Sequence, residues 1–161
     1  MDAVISGVQR VAEQYEGTLL EVTIGDKGSY AFASFGASHV HEDDARRAVR
    51  AALEIKQSLG GLDFLKSIQF GLSSGTMRVG AYGSITRRSF GAMGDDVNLA
   101  ARLMTTAAPG EILISQRVRK AIAEEVLVEA RPAVAMKGKS EAEKQKKINE
   151  VIELLEKFSK A

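Results

Sequence analysis

The chain is organised around residues 89–104, SFGAMGDDVNLAARLM. This stretch predicts a short strand, a turn at Gly94, and a helix whose first turn carries two acids, where the helix dipole favours negative charge. Apolar residues recur at helical spacing and predict a core-facing side: Val97, Ala100, Ala101 and Met104. Asn98 and Arg102 are four residues apart and project from one face. An amide and a planar cation there suit a phosphate-bearing ligand, although a solvated polar face is the commoner reason for such a pair.

Composition sets the broad class. The 161 residues fit one domain with one hydrophobic core. The 22 Lys and Arg residues balance 21 Asp and Glu residues, so charge gives no reason to expect a nucleic-acid partner. The lack of cysteine excludes a disulfide scaffold, a thiolate metal site and a cysteine nucleophile. No apolar run reaches membrane-spanning length and no signal-peptide pattern opens the chain, so we expect a cytoplasmic protein that does not engage a membrane.

The rest of the chain predicts alternating helices and strands. Helices are expected at 3–15, 43–58 and 116–122, and strands at 18–24, 30–35, 67–74, 77–82, 111–115 and 126–128. The strands at 18–24 and 30–35 form a hairpin with Asp26 at its tip, and those at 67–74 and 77–82 form a second hairpin. His39 and His41 precede three acids, but acids at a helix N-terminus explain this cluster better than a metal site does.

Residues 140–161 differ in composition from the rest. They are rich in strong helix formers, Ser140 is a suitable N-cap, and apolar residues recur at helical spacing. These apolar residues are Ile148, Val151, Ile152, Leu155 and Phe158. We therefore predict a domain over 1–139 and a C-terminal helical appendage over 140–161, whose composition resembles that of an idealised, engineered helix.

Several stretches together carry a family resemblance. Residues 94–103, GDDVNLAARL, resemble the G-x-x-V-N-x-A-A-R-L signature of class III adenylyl/guanylyl cyclase catalytic domains. Residues 68–75, IQFGLSSG, resemble the family strand I-G-I-x-x-G. The family's G-D hairpin is matched by TIGD at 23–26 together with FASFG at 32–36. The helix that follows this hairpin in the family is matched by residues 41–53. The resemblance covers roughly residues 3–139. Within the family, this part of the chain is most similar in character to soluble and bacterial multidomain cyclases. It implies an α/β (α+β) fold with a ferredoxin-like core, an antiparallel-rich sheet and helices on its face.

The resemblance also implies a reaction and a set of site residues. The family converts ATP to cyclic AMP and pyrophosphate with Mg²⁺ or Mn²⁺. By the family pattern Asn98 orients the ribose, Arg102 stabilises charge on the transferring phosphoryl group, and Lys137 or Lys139 holds the terminal phosphates. Asp26 matches the second of two metal-binding aspartates. From the residues alone, a turn aspartate chosen for local hydrogen bonding is the better explanation of Asp26.

The sequence departs from the family pattern in three places. No stretch matches the opening strand F-x-D-I-x-G-F-T, which carries the first metal aspartate. The purine-selecting lysine and aspartate of the family are replaced by Val22 and Gly91. We therefore expect the isolated chain to be inactive, with the missing strand bypassed by pairing of its neighbours or supplied by a partner chain. The alternatives are a non-catalytic dimerisation or regulatory module, or an engineered fragment that retains the fold.

The resemblance finally implies an assembly. Cyclase domains of this type work as head-to-tail pairs with sites formed across the interface. We expect a homodimer that buries the apolar stripe of residues 140–161, since leaving large apolar side chains in water costs roughly 1.5–3 kcal/mol each. The alternative is a monomer in which that segment covers the surface left by the missing strand.

Overall fold

The computed structural model describes residues 2–26, 28–59, 62, 65, 67–122, 126, 128–130 and 151–154. The helices are α1 (Asp2–Gln14), α2 (Asp44–Leu59), α3 (Asp95–Thr106) and α4 (Gln116–Ile122). The strands are β1 (Gly17–Thr23), β2 (Tyr30–Phe35), β3 (Phe70–Leu72), β4 (Arg78–Gly83), β5 (Arg88–Met93), β6 (Ile112–Ser115), β7 (Val128–Ala130) and β8 (Val151–Leu154). The fold is mixed α/β with antiparallel-rich sheets, as predicted.

Helix α2 forms the centre of the packed interior. One side of α2 packs against α1, with Val11, Ala51, Ile55 and Leu59 buried between them. Another side packs through Val49 and Leu53 against β6 and α4. The predicted helices at 3–15, 43–58 and 116–122 are confirmed to within two residues, because each has a clear apolar stripe at helical spacing.

Strand pairing confirms one predicted hairpin and corrects the other. β1 and β2 pair antiparallel, as expected. β3, however, pairs parallel with β6, and β4 pairs antiparallel with β5, so the predicted hairpin of 67–74 with 77–82 is wrong. The physical reason is local: the short connection at 84–87, with a 3.0 Å hydrogen bond between the Ser84 and Thr86 hydroxyls, closes β4 directly onto β5. β3 is left to take a partner that is distant in sequence.

The expected bypass of the missing strand is not seen. Among the described strands, β2 pairs with β1 and β3 pairs with β6, so β2 and β3 do not pair with each other. Helix α2 packs against both strands and so connects the two sheets. Phe35 of β2 and Phe70 of β3 lie on the same α1–α2 cluster. The two sheets are therefore joined by side-chain packing on α2.

The C-terminal segment also differs from its prediction. Val151–Leu154 form strand β8, between β6 and β7 in the four-stranded sheet β3-β6-β8-β7. The physical reason is that two β-branched residues meet an available strand edge, with Ile152 opposite Ile114, and pairing in a sheet outweighs helix propensity. The predicted helix is thus wrong for these four residues. The rest of 140–161, with Ser140, Ile148, Leu155 and Phe158, lies outside the described residues.

Candidate functional site

Helix α3, with the strand that leads into it, is the centre of the candidate site. The predicted strand, turn and helix are confirmed as β5, Gly94 and α3. The buried ridge of α3 is formed by Leu99 and Leu103, which are 6% and 1% exposed. The predicted core face was therefore displaced by one position: Ala101, assigned to the core, is exposed. The physical reason is that alanine tolerates either side of a helix, whereas the two leucines bury more apolar surface.

Gly71 of β3 allows α3 to lie directly on the sheet. A Cβ atom at this position would lie 2.1 Å from the Ala100 carbonyl oxygen and 2.3 Å from the Met104 amide nitrogen. Backbone therefore packs on backbone, as only glycine permits. The contact fixes the height of α3 above β3 and so the position of the outward face of the helix.

Asn98 and Arg102 lie on that outward face. Both are exposed. The Arg102 carbonyl oxygen accepts bonds from the hydroxyls of Thr105 and Thr106, but neither the Asn98 amide nor the Arg102 guanidinium makes a hydrogen bond or ion pair with the described residues. The two side chains are therefore available to a ligand, and the stability of α3 does not depend on them.

The other predicted site residues are not brought to α3. Asp26 follows β1, is exposed, and makes no hydrogen bond or ion pair with Asn98, Arg102 or any other described residue. No group of three possible metal ligands occurs in the described part of the chain. A single exposed carboxylate does not fit a magnesium site, which takes its remaining ligands from further carboxylates or substrate phosphates. Lys137 and Lys139 lie outside the described residues.

Val22 and Gly91 occupy the positions at which the family pattern would place base-selecting side chains. Val22 lies on β1 opposite Ala31, and Gly91 lies on β5 opposite Gly80. A Cβ atom added at Gly91 or at Gly80 would have nothing within 4 Å. The paired glycines thus leave open space on this part of the hairpin, and neither Val22 nor Gly91 offers a side-chain hydrogen bond to a base.

Comparison with protein families decides what this arrangement is. The sequence profile described as "Adenylate and Guanylate cyclase catalytic domain" matches residues 2–150. The chain belongs to this family. Among curated proteins, none matches the chain by sequence.

Solved structures of cyclases share the fold. The adenylyl cyclase CyaB from P. aeruginosa is 22% identical, with a TM-score of 0.82 over 99% of this chain and 82% of that one. The guanylate cyclase domain of RhGC from Catenaria anguillulae, in complex with GTP, is 24% identical with a TM-score of 0.79 over 96% and 80%. The guanylyl cyclase domain of RhoGC from Blastocladiella emersonii, a dimer of non-standard form, is 21% identical with a TM-score of 0.76 over 96% and 80%. In the described part of this cyclase domain, no helix is long and apolar enough to cross a membrane.

One surface of this cyclase domain was not identified from the sequence. The hairpin Arg78–Met93, called here the basic hairpin, contains three arginines and no acid. Arg78, Arg87 and Arg88 are exposed, and their side chains make no hydrogen bond or ion pair with the described residues. Three large apolar side chains are also exposed: Ile85 at 95%, Phe90 at 54% and Met93 at 53%. Three cations without an acid in sixteen consecutive residues were the signal in the sequence.

A second hairpin of the cyclase domain has the opposite character. The hairpin Gly17–Phe35, called here the acidic hairpin, carries Glu21 and Asp26 against Lys27. The Glu21 carboxylate accepts a 3.0 Å hydrogen bond from the Tyr30 hydroxyl. Ile24 is 62% exposed and Tyr30 is 42% exposed. The two hairpins thus combine exposed apolar side chains with opposite charge.

The histidine and acid cluster before α2 forms an ion-pair network. Both ring nitrogens of His41 face carboxylates, with Nε2 at 3.0 Å from Glu16 and Nδ1 at 3.3 Å from Asp44. Arg47 donates to Glu16 at 2.6 Å and to Asp43 at 2.8 Å. The hydrogen bond from Arg47 lowers the pKa of Asp43, and the same bond raises the pKa of Arg47. The network connects the end of α1 to the start of α2 and so has a structural role.

Proposed function

We propose that this chain is a class III nucleotidyl cyclase domain that binds a nucleoside triphosphate through the outward face of α3. The observation that carries the proposal is the pair Asn98 and Arg102, whose side chains are exposed and make no hydrogen bond or ion pair with the residues that the structure describes. The Arg102 guanidinium presents parallel donors that match phosphate oxygens. The Asn98 amide both donates and accepts, which suits ribose hydroxyls. By the family pattern, Lys137 or Lys139 would complete the proposed phosphate contacts.

We further propose that the isolated chain does not cyclise the nucleotide. The family typically uses divalent metals, whereas among the described residues Asp26 belongs to no group of three possible metal ligands. The expected result is therefore no cyclic AMP or cyclic GMP above a no-enzyme control with either Mg²⁺ or Mn²⁺. Product that disappears in Asp26→Ala would contradict this expectation and show that the chain completes a metal site.

The proposed assembly is a head-to-tail homodimer. The basic hairpin of one copy would meet the acidic hairpin of the other, since their charges are complementary and both expose large apolar side chains. Because β5 leads directly into α3, this contact would bring the acidic hairpin, with Asp26, towards α3 of the partner. A nucleotide site shared by two copies would follow. We also propose a cytoplasmic location, where the family's nucleotide substrates are found.

A second candidate is a non-catalytic dimerisation or regulatory module. Val22 and Gly91 favour it, because both base-selecting side chains are replaced by residues without a polar group. The two candidates share the dimer and differ in nucleotide binding. A nucleotide titration therefore separates them.

The deciding experiment is a titration of the full chain with MnATP and MnGTP by isothermal calorimetry. Arg102→Ala should weaken binding by about 10- to 100-fold, since a hydrogen bond to a charged group contributes about 1.5–3 kcal/mol. Arg119→Ala is the matched control, because Arg119 is also exposed on a helix and without a partner among the described residues. Equal affinities in wild type and both variants would refute the proposed site, and no binding by wild type would favour the regulatory module.

A further inference from the structure

The first turn of α3 is held from outside the helix. Gly94 occupies the N-cap position and supplies no side-chain hydrogen bond. The first amide to bond within the helix, that of Asn98, lies a long 3.4 Å from the Gly94 carbonyl oxygen. Residues at an uncapped helix start are weakly held unless their neighbours supply contacts. Asn98, a proposed ligand contact, lies in this turn.

Two segments, the loop after β3 and the start of α4, supply those contacts at Asp96. The Ser73 hydroxyl, from the loop after β3, donates a short hydrogen bond to the Asp96 carbonyl oxygen. Arg117, from the start of α4, lies with Nη1 3.4 Å from the Asp96 carboxylate and 3.4 Å from the Ser74 carbonyl oxygen. The Asp96 side chain is only 17% exposed, so its carboxylate is largely enclosed by these groups.

Gly75 shows how closely the loop fits this carboxylate. A Cβ atom at Gly75 would lie 1.8 Å from Oδ2 of Asp96 and 2.7 Å from Nη1 of Arg117. A side chain at this position would therefore displace the Asp96 carboxylate and the Arg117 guanidinium from each other. Asp96 and Arg117 thus meet at a site whose geometry is fixed by the loop backbone.

We propose that Asp96 and Arg117 are positioning residues for the ligand face of α3. They hold the first turn of the helix against the loop after β3, and so fix Asn98 and, one turn later, Arg102 relative to the bound nucleotide. The inference rests on the proposed function for its ligand, but the restraint on α3 is independent of any ligand. Because the Arg117 side chain is 65% exposed, its ion pair contributes little to global stability. Its loss should therefore change local order and ligand affinity far more than the melting temperature.

The test compares wild type with Arg117→Ala, with the conservative variant Arg117→Lys, and with Arg119→Ala as the matched control from the same helix. Amide exchange at Asn98 is measured by NMR, and affinity for MnATP by calorimetry. In Arg117→Ala we expect exchange at least about threefold faster, affinity weaker by about threefold or more, and a melting temperature within about 2 °C of wild type. In Arg117→Lys and in Arg119→Ala, the exchange rate at Asn98 and the affinity for MnATP should both stay close to the wild-type values.

Two results would overturn the inference. One is unchanged exchange at Asn98 in Arg117→Ala. The other is faster exchange with unchanged affinity while Arg102→Ala weakens binding, because the restraint would then not act on the ligand. If Arg102→Ala leaves the affinity for MnATP unchanged, the proposed function fails, and the exchange rate of the Asn98 amide alone tests the restraint on α3. Faster exchange in Arg117→Ala but not in Arg117→Lys would support the restraint. Unchanged exchange in Arg117→Ala would refute it. Gly75→Ala, which displaces Asp96 without removing a charge, should reproduce the faster exchange.

Discussion

Replacing Gly71 by alanine tests how α3 is seated on the sheet. The added Cβ would lie 2.1 Å from the Ala100 carbonyl oxygen, against about 3.4 Å for ordinary contact, so α3 and β3 must separate by about 1.3 Å at this point. Overpacking of this kind costs about 1–3 kcal/mol. The loss of unfolded-state entropy on changing glycine to alanine offsets about 0.4–1 kcal/mol of that cost. Because the clashing atoms belong to the backbone and cannot rotate away, the upper end of the overpacking range applies, and the net loss in the free energy of unfolding is about 2–2.6 kcal/mol.

The assay is thermal unfolding followed by circular dichroism. For a chain of this length each kcal/mol shifts the melting temperature by about 2–4 °C, so Gly71→Ala should melt about 4–10 °C below wild type. Gly80→Ala is the matched control, because its Cβ would have nothing within 4 Å and alanine is more favourable than glycine inside a strand. We expect the control to melt at or slightly above wild type. A Gly71→Ala protein as stable as wild type would show that α3 does not rest on β3 as described.

Three further predictions concern base selection, acid stability and assembly. Gly91→Asp should be accommodated, because a Cβ atom at this position has nothing within 4 Å. It should change the ratio of ATP to GTP affinity by up to about tenfold, which is the contribution of one hydrogen bond. An unchanged ratio in competition titrations would show that Gly91 does not lie beside the base. Because its bond to Arg47 lowers the pKa of Asp43, the stability that this carboxylate contributes is present above its unfolded pKa and is lost as pH falls through its folded pKa. Asp43→Asn should therefore have a lower free energy of unfolding than wild type at pH 7, measured in urea, and the difference should shrink below about pH 4. A difference that stays constant with pH would contradict the ion pair. Arg88→Glu should lower the mass measured by light scattering towards that of the monomer on dilution, whereas Arg119→Glu should not. Equal masses for the two variants would refute the proposed dimer contact between the basic and the acidic hairpin.

The elements predicted correctly are those specified by local pattern. Residues 18–24 and 30–35 are two short stretches rich in β-branched and aromatic residues that flank a glycine-containing turn, and they fold as the hairpin β1–β2. Residues 43–58 carry an apolar stripe at helical spacing, and they fold as α2. In both cases the contacts that select the structure lie within a few residues in the chain, so the sequence pattern is sufficient.

The errors concern contacts between distant segments. β3 pairs with β6, some forty residues away, and a residue pattern does not identify such a partner. Val151–Leu154 show a helical spacing of apolar residues, yet they form a strand because β6 and β7 provide edges on both sides. The contacts of Ser73 and Arg117 with Asp96 were not predicted for the same reason. The three residues come from three separate segments of the chain, and none of them stands out in the sequence by itself.

The packing of α3 bears on whether its polar face is a site or an ordinary solvated surface. The helix is fixed from within by Gly71 and by the buried Leu103, and at its start by Asp96. None of these contacts uses Asn98 or Arg102, which lie on the opposite face without partners in the described part of the chain. A helix held this way presents its outward side chains from a rigid base, which lowers the entropy cost of binding a ligand. We therefore propose that this rigidly held face contacts the nucleotide, and the titration of Arg102→Ala distinguishes a binding face from an ordinary solvated surface.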